Sequence, residues 1–164
     1  MRRHRGPVLC LLALLANGSA EAVTSITTTF QAKLTINTQC IIVNANDLNF
    51  GPIGLLTANV DLTTTVSVLC TNLAPYNVGL DAGQFGTGVT ARKMQGGPSS
   101  EKIFYSLSVN AARSANWGNT IGVDAVGATG TGTAQTFTIY GRVPPQATPT
   151  PGAYADTVTM TVTY

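Results

Sequence analysis

Histidine is nearly missing from this chain: the single one, His4, stands among the first few residues. Charge is scarce at 10% of residues, there is one tryptophan, and no uninterrupted apolar run exceeds nine residues. Long stretches rich in leucine, glutamate and lysine do not occur. Each shortage excludes something. Because His4 falls in the stretch read below as an export signal, the mature chain is expected to have no histidine, which excludes Ser-His-Asp and Cys-His nucleophilic arrangements and histidine-containing zinc sites. A run of nine apolar residues falls well short of the roughly 20 that a membrane-spanning helix needs. The lack of helical patterning, with threonine, valine, alanine and glycine abundant, points to an all-β protein.

What is there begins with residues 1–20. Arg2, Arg3 and Arg5 precede the apolar run 8–16 (VLCLLALLA), and small residues follow it. Gly18 and Ala20 suit the cleavage positions; a cut after Ala22, using Ala20 and Ala22, is the alternative. This is the pattern of a secretory signal peptide. Cys10 lies inside the apolar run behind Leu9, the wrong setting for a lipidated cysteine, and the sequon Asn17-Gly18-Ser19 falls within the signal. His4 leaves with it. So do three of the nine basic residues, and with the cut after Ala20 six remain against seven acidic ones, a net charge of −1 where the whole chain has +2. No nucleic-acid-binding surface is implied.

Two cysteines remain, Cys40 and Cys70. In an exported chain they are expected to form one disulfide, with two buried thiols as the alternative. The carboxylates Asp47, Asp61, Asp81, Glu101, Asp124 and Asp156 are scattered, mostly in turn-like contexts where an aspartate serves the backbone. No catalytic residue, metal ligand or cofactor is assigned. The run 127–133 (GATGTGT) lacks the lysine and the strand-loop-helix setting of a phosphate-binding loop, and reads as a flexible turn. Trp117 reads as a core or lid aromatic in preference to a stacking platform.

Alternation organises the rest. In 26–36 (ITTTFQAKLTI), Ile26, Thr28, Phe30, Ala32, Leu34 and Ile36 share one parity, and polar residues take the other. That spacing predicts a strand with one buried face. Cys40-Ile41-Ile42-Val43 reads as a short buried strand, and Phe50 as a core residue. Further strands are predicted around 62–70, 76–80, 103–109 and 137–143. Residues 83–100 read as a glycine-rich connection carrying Arg92 and Lys93. Prolines at 144, 145, 149 and 151 break pairing. In the closing stretch, Val158, Met160, Val162 and Tyr164 lie on one face, and the strand is expected to run to Tyr164. Several short strands separated by turn clusters suggest an immunoglobulin-like β-sandwich, with a barrel as the alternative.

Several pieces, in this order and spacing, resemble the spore coat protein U domain family, which includes subunits of archaic chaperone–usher pili. They are FQAKLTINTQC (30–40), DLNFG (47–51), VLCT (68–71), YNVGLDAG (76–83), ARKM (91–94), NWGN (116–119), TGTAQTFTIYGRVPPQ (131–146) and PGAYADTVTMTVTY (151–164). The chain departs from the family pattern at Ser108-Val109-Asn110, where an aromatic followed by aspartate is usual.

The resemblance implies an incomplete sandwich lacking its final strand. A periplasmic chaperone fills the gap first, and at an outer-membrane usher the N-terminal extension of the next copy replaces it, giving a head-to-tail polymer on the cell surface. Carried onto this chain, it implies an extension at 21–37 and a pilin domain at 38–164. The donor strand is then 26–36, carrying Ile26, Thr28, Phe30, Ala32, Leu34 and Ile36. The chaperone-pairing last strand carries Val158, Met160, Val162 and Tyr164. The implied role is a non-enzymatic subunit of an adhesive, biofilm-forming fibre. The alternative is a self-complemented secreted or coat-forming sandwich.

Overall fold

A computed structural model describes residues 22–164, and the export signal read at 1–20 lies outside them. The chain divides into two units, the first ending at Leu34 and the second comprising Thr35–Tyr164. In the described part of the first unit, 22–34, the backbone forms no strand and its side chains are exposed.

The second unit contains nine strands and, among the described residues, no helix. They are β1 (Cys40–Ala45), β2 (Val60–Cys70), β3 (Pro75–Leu80), β4 (Arg92–Gly96), β5 (Glu101–Ser108), β6 (Val126–Thr129), β7 (Ala134–Val143), β8 (Tyr154–Ala155) and β9 (Met160–Thr163). Six form one sheet in the order β1-β2-β7-β5-β4-β8, and three form a second in the order β6-β3-β9. Every pairing is antiparallel.

The inner faces of both sheets supply one core. Val66, Val68 and Cys70 come from β2, Tyr76, Val78 and Leu80 from β3, and Ile103, Tyr105 and Leu107 from β5. These are the residues whose strict alternation predicted buried faces, and β2, β3, β5 and β7 stand where the pattern put them. Trp117 is buried in the same core; its Nε1 donates to the Val78 carbonyl at 2.9 Å, and its ring meets Phe137 edge-on. Cys40 and Cys70 face each other across β1 and β2 and form a disulfide, with Cα atoms 4.1 Å apart. Closing a loop of 30 residues contributes roughly 3–4 kcal/mol in the chain-entropy account.

Three readings are corrected. The connection at 83–100 contains β4, paired with β5 along its whole length. The turn at 127–133 begins inside β6, which pairs with β3. The run Cys40-Ile41-Ile42-Val43 is a strand but not a buried one, because β1 is the edge of its sheet and Ile41, Ile42 and Val43 are about half exposed. A hydropathy pattern cannot tell an edge strand from a central one.

Candidate functional site: an open apolar groove beside the last strand

The second unit carries a groove of about 1310 Å³. Its floor is the inward face of the large sheet: Val60 and Val66 of β2, Ile103 and Leu107 of β5, Ile139 and Val143 of β7. One wall is the chain leaving β1, residues 45–56; the other runs from Thr148 through Val158 to Met160 of β9. The wall after β1 is anchored by Leu48, whose side chain packs over Gly141 of β7. At the far end Leu56 is buried, with its N–H donated to Thr148 Oγ1 (2.9 Å) and its carbonyl accepting from Gln146 N (3.0 Å).

Beside this groove, β9 hydrogen-bonds to β3 along one edge only and is the terminal strand of its sheet. Its other edge has no strand partner among the described residues. Val158, Met160 and Val162 are partly buried against the core. The closing strand is shorter than the alternation predicted: Tyr164, expected on its inward face, lies one residue past the end of β9 and is exposed, because β9 pairs with β3 only as far as Thr163. An unpaired row of amides and carbonyls next to an apolar trough is a template for strand addition.

A polar clamp holds the chain entering β9. The Asp81 carboxylate at the end of β3 accepts from Gly83 N (2.9 Å) and Thr159 N (2.8 Å). Asp156 accepts from Gln84 N (2.8 Å) through one oxygen and from Tyr105 Oη (2.6 Å) through the other. Gly83 is required here: its φ is +72°, and a Cβ at this position would stand 1.9 Å from Asp156 Oδ2. Beneath them Arg92 is completely buried and donates to four main-chain carbonyls: Asp81 (2.7 Å), Val89 (2.8 Å), Leu80 (2.8 Å) and Trp117 (2.7 Å). Sequence reasoning places Arg92 in a connection and misses its buried role, because a buried cation breaks the apolar alternation that marks a strand. The signal that could have located the clamp is Asp81-Ala82-Gly83, whose aspartate and glycine spacing suits a side chain folded back on its own turn.

Burial pushes the Asp81 carboxyl up, but the amides of Gly83 and Thr159 and the nearby Arg92 guanidinium outweigh it, so it stays below its ordinary value of 3.8. Burial first, and then the hydrogen bond to Asp156, push the Tyr105 phenol well up. On the outer surface Asp61 is held below the usual range chiefly by its two 2.7 Å hydrogen bonds from Arg142. The sign for stability follows. A carboxyl depressed on folding contributes stability above its unfolded pKa and loses it as pH falls through the folded value. Thermal stability should therefore be flat at neutral pH and fall below about pH 4. An Asp81→Asn variant should start lower and lose less over that range; melting curves between pH 7 and pH 2 test this.

The predicted site residues fall into two groups. Val158, Met160 and Val162 flank the groove or stand on its edge strand. Ile26, Phe30, Leu34 and Ile36 are 97%, 92%, 84% and 69% exposed; Thr28 and Ala32 are exposed with them. Among the described residues, no three histidines, cysteines or carboxylates gather as a metal site would require.

Comparison with known proteins gives three findings. Residues 26–161 match the family described as Spore Coat Protein U domain. Protein U of Myxococcus xanthus is 31% identical over 171 residues, spanning 96% of this chain and 94% of that protein. The fold is similar to that in the CsuC–CsuE chaperone–tip adhesion subunit pre-assembly complex, from archaic chaperone-usher Csu pili of Acinetobacter baumannii. That similarity has a TM-score of 0.60 at 21% identity, over 79% of this chain and 41% of the matched one. At that identity the likeness is one of fold, and the chain spans about two fifths of its neighbour's length.

Proposed function

Because this chain belongs to the Spore Coat Protein U domain family, we propose that it is a structural, non-enzymatic subunit of a surface pilus, assembled by exchange of donor strands. Residues 26–36 of one copy fill the groove of another, pairing with the free edge of β9. A periplasmic chaperone occupies the same groove beforehand, and an outer-membrane usher is where the exchange takes place. The product is a head-to-tail fibre outside the cell that supports adhesion and biofilm formation.

One observation carries this reading: a chain with an open apolar groove beside an unpaired strand edge also has an alternating apolar segment exposed to solvent. Each needs what the other offers. Fully burying Phe30, Leu34 or Ile36 is worth roughly 1.5–3 kcal/mol apiece, and covering the edge removes an aggregation hazard. A contact between an extension and a groove elsewhere on the surface is heterologous, so it propagates without closing.

The words spore coat in the family description point to a second reading, a coat-forming protein, in which the extension would fill its own groove. Deleting residues 21–37 separates the two. In a pilus subunit the shortened chain is still captured by the chaperone and no longer polymerises. A full-length chain that purifies as a heat-stable monomer with no chaperone overturns the pilus reading.

A further inference from the structure

Among the described residues one side-chain cation and one side-chain carboxylate have no ion pair, hydrogen bond or ring contact. Asp61 is taken by Arg142 (2.7 Å) and Arg113 (3.3 Å). Asp81 and Asp156 are engaged in the clamp. Glu101 accepts from Thr150 N and Oγ1, and Asp124 accepts from Thr120 N at 2.8 Å. Of the lysines, Lys93 and Lys102 stand over the rings of Phe104 and Phe85, at 4.8 and 6.0 Å. Arg92 is buried on carbonyls, and Arg113 and Arg142 hold Asp61. Asp47 has no hydrogen bond or ion pair among the described residues, and Lys33 likewise has none.

Their positions give this remainder meaning. Lys33 is on the polar face of 26–36, between the apolar Ala32 and Leu34. Asp47 is exposed on the groove wall that leaves β1, and the residue before it is firmly fixed. Asn46 N donates to the Thr65 carbonyl (3.2 Å), and its Nδ2 donates to Thr65 Oγ1 (3.1 Å). Its carbonyl accepts from Thr64 Oγ1 (3.0 Å), and its Oδ1 accepts from Asn44 Nδ2 (3.0 Å). Four bonds on one residue hold the neighbouring carboxylate at a set point on the rim. Asp156, the other carboxylate lining the groove, already accepts from Tyr105, Gln84 and Thr157.

We propose that Lys33 of one subunit pairs with Asp47 on the groove rim of the next and sets the register of the incoming strand. This rests on the donor-strand reading above. The apolar plugs supply most of the affinity, but a slip of two residues keeps every apolar side chain on the same face. Parity alone therefore leaves a two-residue slip to be excluded by the sizes of the plugs, and one charge matched to one fixed countercharge adds a second constraint. A rim pair acts chiefly on encounter and orientation, and weakens as salt rises.

The test uses the exported full-length chain, refolded with its disulfide intact, and follows polymerisation by light scattering and by detergent-resistant ladders. Lys33→Glu places Glu against Asp47, and Asp47→Lys places Lys33 against Lys; each alone should polymerise about tenfold more slowly at low salt. Mixed together, each single variant offers the other an opposite charge, so an alternating copolymer should grow within about twofold of the wild-type rate. In about 0.5 M salt the defects should shrink, since the screening length falls to a few ångströms. Wild-type rates for either variant alone overturn the pairing, as does a mixture that shows no rescue. Both results leave donor-strand assembly standing if deletion of 21–37 abolishes growth. If that deletion leaves growth intact, the donor-strand reading itself fails.

Discussion

A Leu34→Asp chain should keep the unfolding transition of its nine-stranded body and lose polymer growth altogether. Leu34 is 84% exposed, so the body has nothing to lose by the change. In the proposed junction the same residue is a plug. Removing a fully buried leucine forfeits roughly 1.5–3 kcal/mol, and an ionised carboxylate seated in an apolar groove adds several kcal/mol of desolvation unless it takes up a proton. Together these come to at least about 4 kcal/mol per junction, close to a thousandfold in its equilibrium constant. Because a fibre needs every junction, growth stops well before single contacts vanish. Leu34→Ala forfeits only the apolar part, and should leave short, slowly formed ladders. Detergent-resistant ladders read the first effect and a urea titration of the body the second. Normal polymers from Leu34→Asp would falsify the donor assignment.

The same substitution shows where sequence reading reaches its limit. Alternation identified β2, β3, β5 and β7 because each has one face in the core, and a buried face imposes period two on composition. It also singled out 26–36, although within this chain that segment lies in no sheet; the pattern records that a face is suited to burial, not by whom. β4 and β6 escaped detection for opposite reasons. β4 begins with a buried arginine satisfied by four main-chain carbonyls, from Leu80 and Asp81 at the end of β3, from Val89 and from Trp117. β6 is Val-Gly-Ala-Thr, too small in its side chains to carry a hydropathy signal. The groove was not legible from residues at all, because a trough is defined by the strand that is not there. Only the family resemblance supplied it in advance. The half-exposure of Ile41, Ile42 and Val43 has the same origin: whether β1 is central or peripheral depends on sheet order, which no local pattern encodes.

Arg92→Met should be the most damaging single change in the body, lowering stability by roughly 3–5 kcal/mol at neutral pH. The guanidinium is fully buried, and its four hydrogen bonds run between 2.7 and 2.8 Å. Methionine fills much of the volume but donates nothing. Carbonyls of Leu80, Asp81, Val89 and Trp117 would then each lose a charge-assisted donor in a site closed to water, at about 1–3 kcal/mol for each one left unsatisfied. Part of that is recovered because a charged group no longer has to be buried. Against a total of about 5–15 kcal/mol for a domain of this size, the loss leaves a marginal fold. Arg92→Lys separates charge from geometry. It keeps the cation but offers three donors from one point where the site needs a planar fork reaching in several directions, so it should recover less than half of the loss. The consequence reaches the groove, since the carbonyls of Leu80 and Asp81 fix the turn whose Asp81 carboxylate holds Thr159 at the entry to β9. Hydrogen exchange should show the amides of Thr159 and Met160 opening faster in both variants, while those of β2 and β7 change only as far as global stability does. Uniform loosening across both sheets, or a Met variant within about 1 kcal/mol of wild type in urea, would remove Arg92 as the element that positions the last strand.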